Sequence, residues 1–153
     1  MSFRLEYEVG EAGWATCRVA LDEKRVDMIA SYLHDSLHQL CDVVASMASG
    51  ARTGSVSFMD EPGEHQMLFE RLDDAKVALR IMWHDDWISW GIGPRSDGQL
   101  VLEGTTTVAH LRGQTYAAAR HILDGMGREE YRRRWSAHDF PDAAFTRLKE
   151  AGS

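Results

Sequence analysis

The sequence predicts an α+β fold, a meander-like antiparallel sheet of about six strands packed by one long helix at about 31–49. C-terminal helices follow at about 111–126, 128–136 and 141–150. Three observations predict it. Segments of period-two hydrophobicity stand on both sides of a strongly helical stretch, the period changes from two to 3.6 near Leu111, and the strands come in runs without strict βα alternation.

Phe3, Leu5, Tyr7 and Val9 alternate with Arg4, Glu6 and Glu8, as in a strand with one buried face. Gly10 to Gly13 supply a turn, and Ala15, Cys17, Val19 and Leu21 lie on one side of a return strand at 14–21. Residues 25–29 suit a short third strand leading into the helix, although Val26 and Met28 equally suit an early helical turn. Leu33, Leu37, Leu40, Val44 and Met47 then recur at spacings of four, three, four and three, one narrow helical stripe. Ser31 is placed to cap this helix and Gly50 to end it, giving a rod of roughly 30 Å at 1.5 Å per residue. Strand character resumes at 55–59, and in Asp60 to Glu64, DEPGE, Pro62 and Gly63 suit the second and third positions of a type II turn. Strands follow at 65–72 and 75–83, where Val77, Leu79, Ile81 and Trp83 share a face. The stretch from His84 to Gly98 follows no single period. Asp97 and Gly98 suit a hairpin turn before a last strand at 99–108. In the final third, Thr115, Ala118, Ala119, Ile122 and Met126 form an apolar helix face, Tyr131 and Trp135 stand four apart, and Pro141 suits the first residue of a last helix carrying Phe145 and Leu148.

At 153 residues and 44% hydrophobic content the chain, 1–153, reads as a single domain able to bury its own core. The first ten residues are charged and alternating, and no apolar run approaches the ~18 residues of a membrane span, which argues for a soluble, cytoplasmic protein with no membrane partner. Cys17 and Cys41 lack CxxC spacing and read as reduced thiols. The chain has 17 Lys and Arg against 24 Asp and Glu, a net charge of −7. That balance argues against nucleic acid and for a basic protein partner. Its basic cluster, Arg128 with Arg132, Arg133 and Arg134, is interleaved with Glu129 and Glu130 and reads as a helix face with internal ion pairs.

Several constellations bear on chemistry. His34, His38 and Cys41 stand at i, i+4 and i+7, a spacing zinc can use, but a fourth ligand is missing and boundary positions on the helix explain them, so no metal and no cofactor is assigned. Asp60, Glu61 and Glu64 surround a turn, where capping the hairpin and starting a strand account for them better than acid–base catalysis. The sequence contains no nucleophile elbow, phosphate loop, HExxH or Cys/His signature, and no catalytic residue is assigned. Asp85, Asp86, Trp87 and Trp90 are the strongest candidates for a partner-binding site. Tryptophan buries a large area at an interface, and carboxylates beside it select a basic partner.

At SYLHDSL (31–37), DEPGE (60–64) and WSAHDFP (135–141) the chain resembles a group of small bacterial proteins with an SYL-type helix start, a DEPGE-type turn and a Trp-x-x-His-x-Phe-Pro ending. The resemblance runs from Phe3 to about Leu148, supports the order of elements, and implies no activity or catalytic residues. Size, acidity and the lack of catalytic motifs favour a non-catalytic protein-binding domain, most specifically an immunity protein that neutralises a cognate toxin. The alternatives are a structural, homo-oligomerising module and an unrecognised small-ligand-binding protein or enzyme using a pocket between sheet and helix.

Overall fold

Alternating apolar residues build seven strands, which a computed structural model describing residues 2–86, 98–136 and 138–151 arranges in two sheets. The first sheet contains β1 (Phe3–Val9), β2 (Trp14–Leu21) and β3 (Lys24–Ser31), in that order. The second contains β4 (Thr53–Met59), β5 (Glu64–Arg71), β6 (Lys76–His84) and β7 (Gln99–Thr107), again in sequence order. All neighbours are antiparallel. The α+β class holds, but the single sheet of about six strands becomes two meanders of three and four strands. The physical reason is α1 (Ser36–Ala48), which separates β3 from β4 so that no hairpin joins them.

Helix α1 starts five residues later than the stripe suggests. Ser31 is the last residue of β3, and its hydroxyl accepts a bond from the Leu33 N–H (3.3 Å) within the turn that follows. Leu37, Leu40, Val44 and Met47 are buried as the spacing requires, whereas Leu33 lies in that turn and is 37% exposed. Gly50, at φ +109°, follows the helix end as expected. Burying each Leu of the stripe contributes roughly 1.5–3 kcal/mol. Side chains of α1 also seal the edge of β4: the Ser36 hydroxyl donates to the Ser57 carbonyl (2.7 Å), and the Gln39 side-chain oxygen accepts from the Ser57 N–H (2.9 Å).

The C-terminal helices fall close to their expected places, as α2 (Val108–Gly125), α3 (Gly127–Arg134) and α4 (Asp142–Glu150). Thr107 caps α2, its hydroxyl accepting from the His110 N–H at 3.0 Å. The segment from α3 to α4 closes over the start of the chain. Gly13 N–H donates to the Arg134 carbonyl (2.8 Å), the Trp135 indole N–H to Asp35 (3.2 Å), and a His138 ring nitrogen bonds the Tyr32 carbonyl (2.7 Å). One contiguous buried cluster takes in the inner faces of both sheets and all four helices. The sheets approach closely where Gly104 of β7 faces Leu21 of β2, since a Cβ at 104 would stand 2.2 Å from a Leu21 methyl.

Two local departures shape the end of the second sheet. The peptide before Pro62 is cis, so the DEPGE turn is not the expected type II turn, although Gly63 does adopt positive φ (+100°). Between β6 and β7 the register shifts: Ile81 pairs with Leu102 and Met82 with Leu100, leaving Val101 as the extra residue of a bulge.

Candidate protein-binding face

The hairpin at 60–63 and the connection at 85–98 leave the second sheet at the same end, because Met59 pairs with Glu64, Glu64 with His84, and Trp83 with Gln99. Asp85 and Asp86 are exposed there, as the sequence suggests. Trp87 and Trp90, the two aromatic members of the expected site, lie outside the described residues, as does Asp97 of the expected hairpin turn.

Trp83 takes the aromatic role among the described residues. It continues the phase of Val77, Leu79 and Ile81 but, at the sheet end, is half-buried instead of lying in the core. Its ring lies 4.7 Å from that of His65 at 58° and against Gly63, and its indole N–H donates to the Asp85 carboxylate at 3.0 Å. That bond holds Asp85 beside the ring. On the neighbouring strand, Leu100 and Val101 are 46% and 40% exposed at the bulge. Strand pairing therefore places these groups at one end of the sheet, with Trp83 on the face of His65 and Leu100, opposite Met82, on the other face. A partner covering the roughly 65–90 Å² that each aliphatic group exposes would gain about 1.5–2 kcal/mol apiece. A cation ~4 Å from a water-exposed carboxylate gains about 1 kcal/mol. Contact area thus governs how long such a partner stays, and the carboxylates govern which partner arrives.

Behind this face lies a polar row that sequence reasoning missed. Glu64, Gln66 and His84 are all buried, and the Gln66 amide donates to Glu64 at 3.0 Å. The His84 ring is packed on Gly98, where a Cβ would come within 2.5 Å of it. Alternation alone puts Glu64 and Gln66 on the face opposite Met67 and Phe69, which normally means solvent; no sequence signal marks it as covered. Being buried, the row helps to position the ends of β5 and β6. Burial also lowers the pKa of His65, partly opposed by Asp60.

The remaining candidates resolve separately. His34 lies in the turn before α1, bonded to Gln39 (2.7 Å), and His38 faces Asp42 (3.1 Å), while Cys41 is fully buried with its thiol pushed up to about 12 by desolvation. These three do not converge, and among the described residues no group of three or more His, Cys, Asp or Glu is placed to hold a metal ion. Asp60 and Glu61 belong to the hairpin turn, with Glu61 N–H donating to Asp60 (2.8 Å), and Glu64 begins β5. The basic cluster is neutralised in place. Arg128 pairs with Asp142 (2.7 Å), Arg132 with Asp139 (3.0 Å), and Arg133 and Arg134 share Glu130 (2.6 and 2.7 Å), whose carboxyl they hold down to about 2. No helix among the described residues is long and apolar enough to cross a membrane.

Neither a family model nor a curated protein matches the sequence. A solved structure of similar fold is the CdiA-CT/CdiI toxin and immunity complex from Enterobacter cloacae. A chain of it matches with a TM-score of 0.51 at 11% identity, over 78% of this chain and 99% of that chain. At that identity the likeness is one of fold. The chain is thus an α+β protein with an exposed acidic and apolar face.

Proposed function

We propose that this chain is a non-catalytic protein-binding domain acting in the cytoplasm, and that it serves as an immunity protein whose partner is a basic toxin. The observation that carries the binding reading is the exposure, at one end of the sheet, of Asp85 and Asp86, the former bonded to Trp83, and of Leu100 and Val101. The fold it shares with a chain of a toxin and immunity complex supports the choice of partner class. The net charge of −7 supports a cationic partner, because long-range attraction raises encounter rates and disfavours acidic competitors.

The test is co-expression with the product of the adjacent gene, scored by growth rescue and by binding of the purified proteins. The double variant Asp85→Asn with Asp86→Asn should slow association several-fold and flatten its salt dependence, whereas Leu100→Ala should mainly speed dissociation. A folded protein that neither binds nor rescues growth rejects the immunity reading.

A further inference from the structure

Two edge strands are covered by helices. The Leu5 N–H of β1 is taken by the Gln114 side chain of α2 (3.1 Å), and the N–H and carbonyl of Ser57 in β4 are taken by Gln39 and Ser36 of α1. Strand β7, the other edge of the second sheet, has no such cover among the described residues. The Val108 N–H donates to the Ala75 carbonyl (2.8 Å), and from there the register sets Lys76 opposite Thr107 and Val77 opposite Thr106, so Thr106, Gly104 and Leu102 bond β6. On the far side of β6 the Leu72 N–H donates to the Lys76 carbonyl (2.9 Å), which requires the same phase. Glu103 and Thr105 therefore turn their N–H and C=O groups to the open edge, where no donor or acceptor of the described residues meets them. Glu103 is exposed and Thr105 half-buried, and the strand carries neither the Pro nor the Lys that commonly blunts an edge. Leu100 and Val101 stand exposed at the bulge of the same strand.

We infer that the β7 edge receives an extended segment of the protein partner, which adds to the second sheet as a further strand and sets aliphatic side chains on Leu100 and Val101. The inference rests on the reading of the chain as a protein-binding domain but not on the partner being a toxin. Free donors and acceptors on alternate residues match another extended backbone, whereas a helix has already used its own groups internally. A segment bonded at Thr105 and Glu103 reaches Leu100 about 10 Å further along the strand, so the chain that takes the edge bonds also covers the apolar pair. Arg80 stands directly across from Glu103 in the register, which leaves this stretch without a net sign. Backbone and apolar complementarity therefore select the segment here, and the carboxylates of Asp85 and Asp86 at the sheet end act on the rest of the partner. A second copy is the poorer occupant. Full antiparallel overlap of two β7 strands sets Glu103 against Glu103, and each chain carries a net charge of −7.

The probe is an acetylated and amidated peptide of residues 76–84, the strand that already pairs with β7 along its other edge. Its control is the same sequence N-methylated at every backbone amide, which keeps the charge and removes the donors. Binding to the intact protein is read by chemical shifts and by amide hydrogen exchange. The peptide should slow exchange at Glu103 and Thr105 by about tenfold or more at saturation while Gly104 and Thr106, bonded to β6, change little, and methylation should weaken binding at least about tenfold. Thr105→Pro removes a donor that no group of the chain uses, so the ladder to β6 survives and peptide binding should fall by a similar factor. If that variant does not fold, the methylated peptide makes the same test on the parent protein. The inference is overturned if the peptide does not bind at about 1 mM. It is also overturned if the peptide binds without the alternate slowing, if the methylated control binds equally well, or if folded Thr105→Pro binds undiminished. Sedimentation showing self-association that Thr105→Pro abolishes would overturn it in favour of a second copy. Failure of toxin neutralisation with peptide binding intact would reject only the immunity reading.

Discussion

Replacing Gly63 by valine tests the geometry that supports the candidate face. Gly63 stands at φ +100°, a region L-residues avoid, and a Cβ there would lie 2.4 and 2.6 Å from Cη2 and Cζ2 of Trp83 and 3.2 Å from the His84 carbonyl. The backbone term is about 1–2 kcal/mol. The indole must also move, giving up its contact with His65 and its bond to Asp85, each about 0.5–1.5 kcal/mol. Gly63→Val should therefore destabilise by about 2–5 kcal/mol, a fall of roughly 4–20 °C in Tm for a chain of this size. Circular dichroism melting measures this, and tryptophan emission should shift red as Trp83 is displaced. In a Trp83→Ala background only the backbone term remains, so the two substitutions must be non-additive by about 1–3 kcal/mol. A variant that melts within about 2 °C of the parent would refute the reasoning. Full additivity would leave Trp83 with no part in it.

Leu37→Asp should unfold the chain or lower its stability by several kcal/mol, because position 37 is sealed in the core, while Leu33→Asp, in the exposed turn, should be nearly neutral by the same melting assay. Burial lowers the pKa of His65 below its ordinary 6.5, so on acidification the unfolded chain takes up its proton first, and this group's effect is a loss of stability as pH falls through about 6.5. His65→Leu should accordingly make Tm less sensitive to pH between about 5 and 8 than that of the parent; identical pH profiles would count against the buried-imidazole account.

Where one face of an element meets the core and the other meets water, the sequence is sufficient. Phe3 to Val9, Val77 to Ile81 and Leu37 to Met47 carry their periods without interruption, and each lies as its period requires. Leu33 keeps the helical spacing yet sits in a turn, because β3 runs on to Ser31; Asp35, a favoured capping residue, stands at the true helix start but turns its carboxylate to Trp135. The division into two sheets was illegible for another reason. Strand neighbours across an intervening helix are fixed by tertiary packing, and neither β3 nor β4 carries a residue that announces an end to pairing. At the candidate face, the exposure of Asp85 and Asp86 could be read directly. The exposure of Leu100 could not, since the bulge turns it away from the face of Leu102, whereas Val101 lies outward as its place beside Leu102 requires.

The closure of α3 and its following turn over the first hairpin has a consequence in time. Gly13 and Arg134, bonded to each other, are 134 − 13 = 121 positions apart. At synthesis rates of about 5–20 residues per second, roughly 6–24 s separate the appearance of the two partners. During that interval the first sheet has its strands but lacks the helices that cover its apolar side, where Phe3, Leu5, Tyr7 and Val9 stand in a row. The second meander, by contrast, obtains its α1 staples within 57 − 36 = 21 positions, a separation bridged almost as soon as β4 is made. The second meander therefore matures before the first, although the first is made earlier.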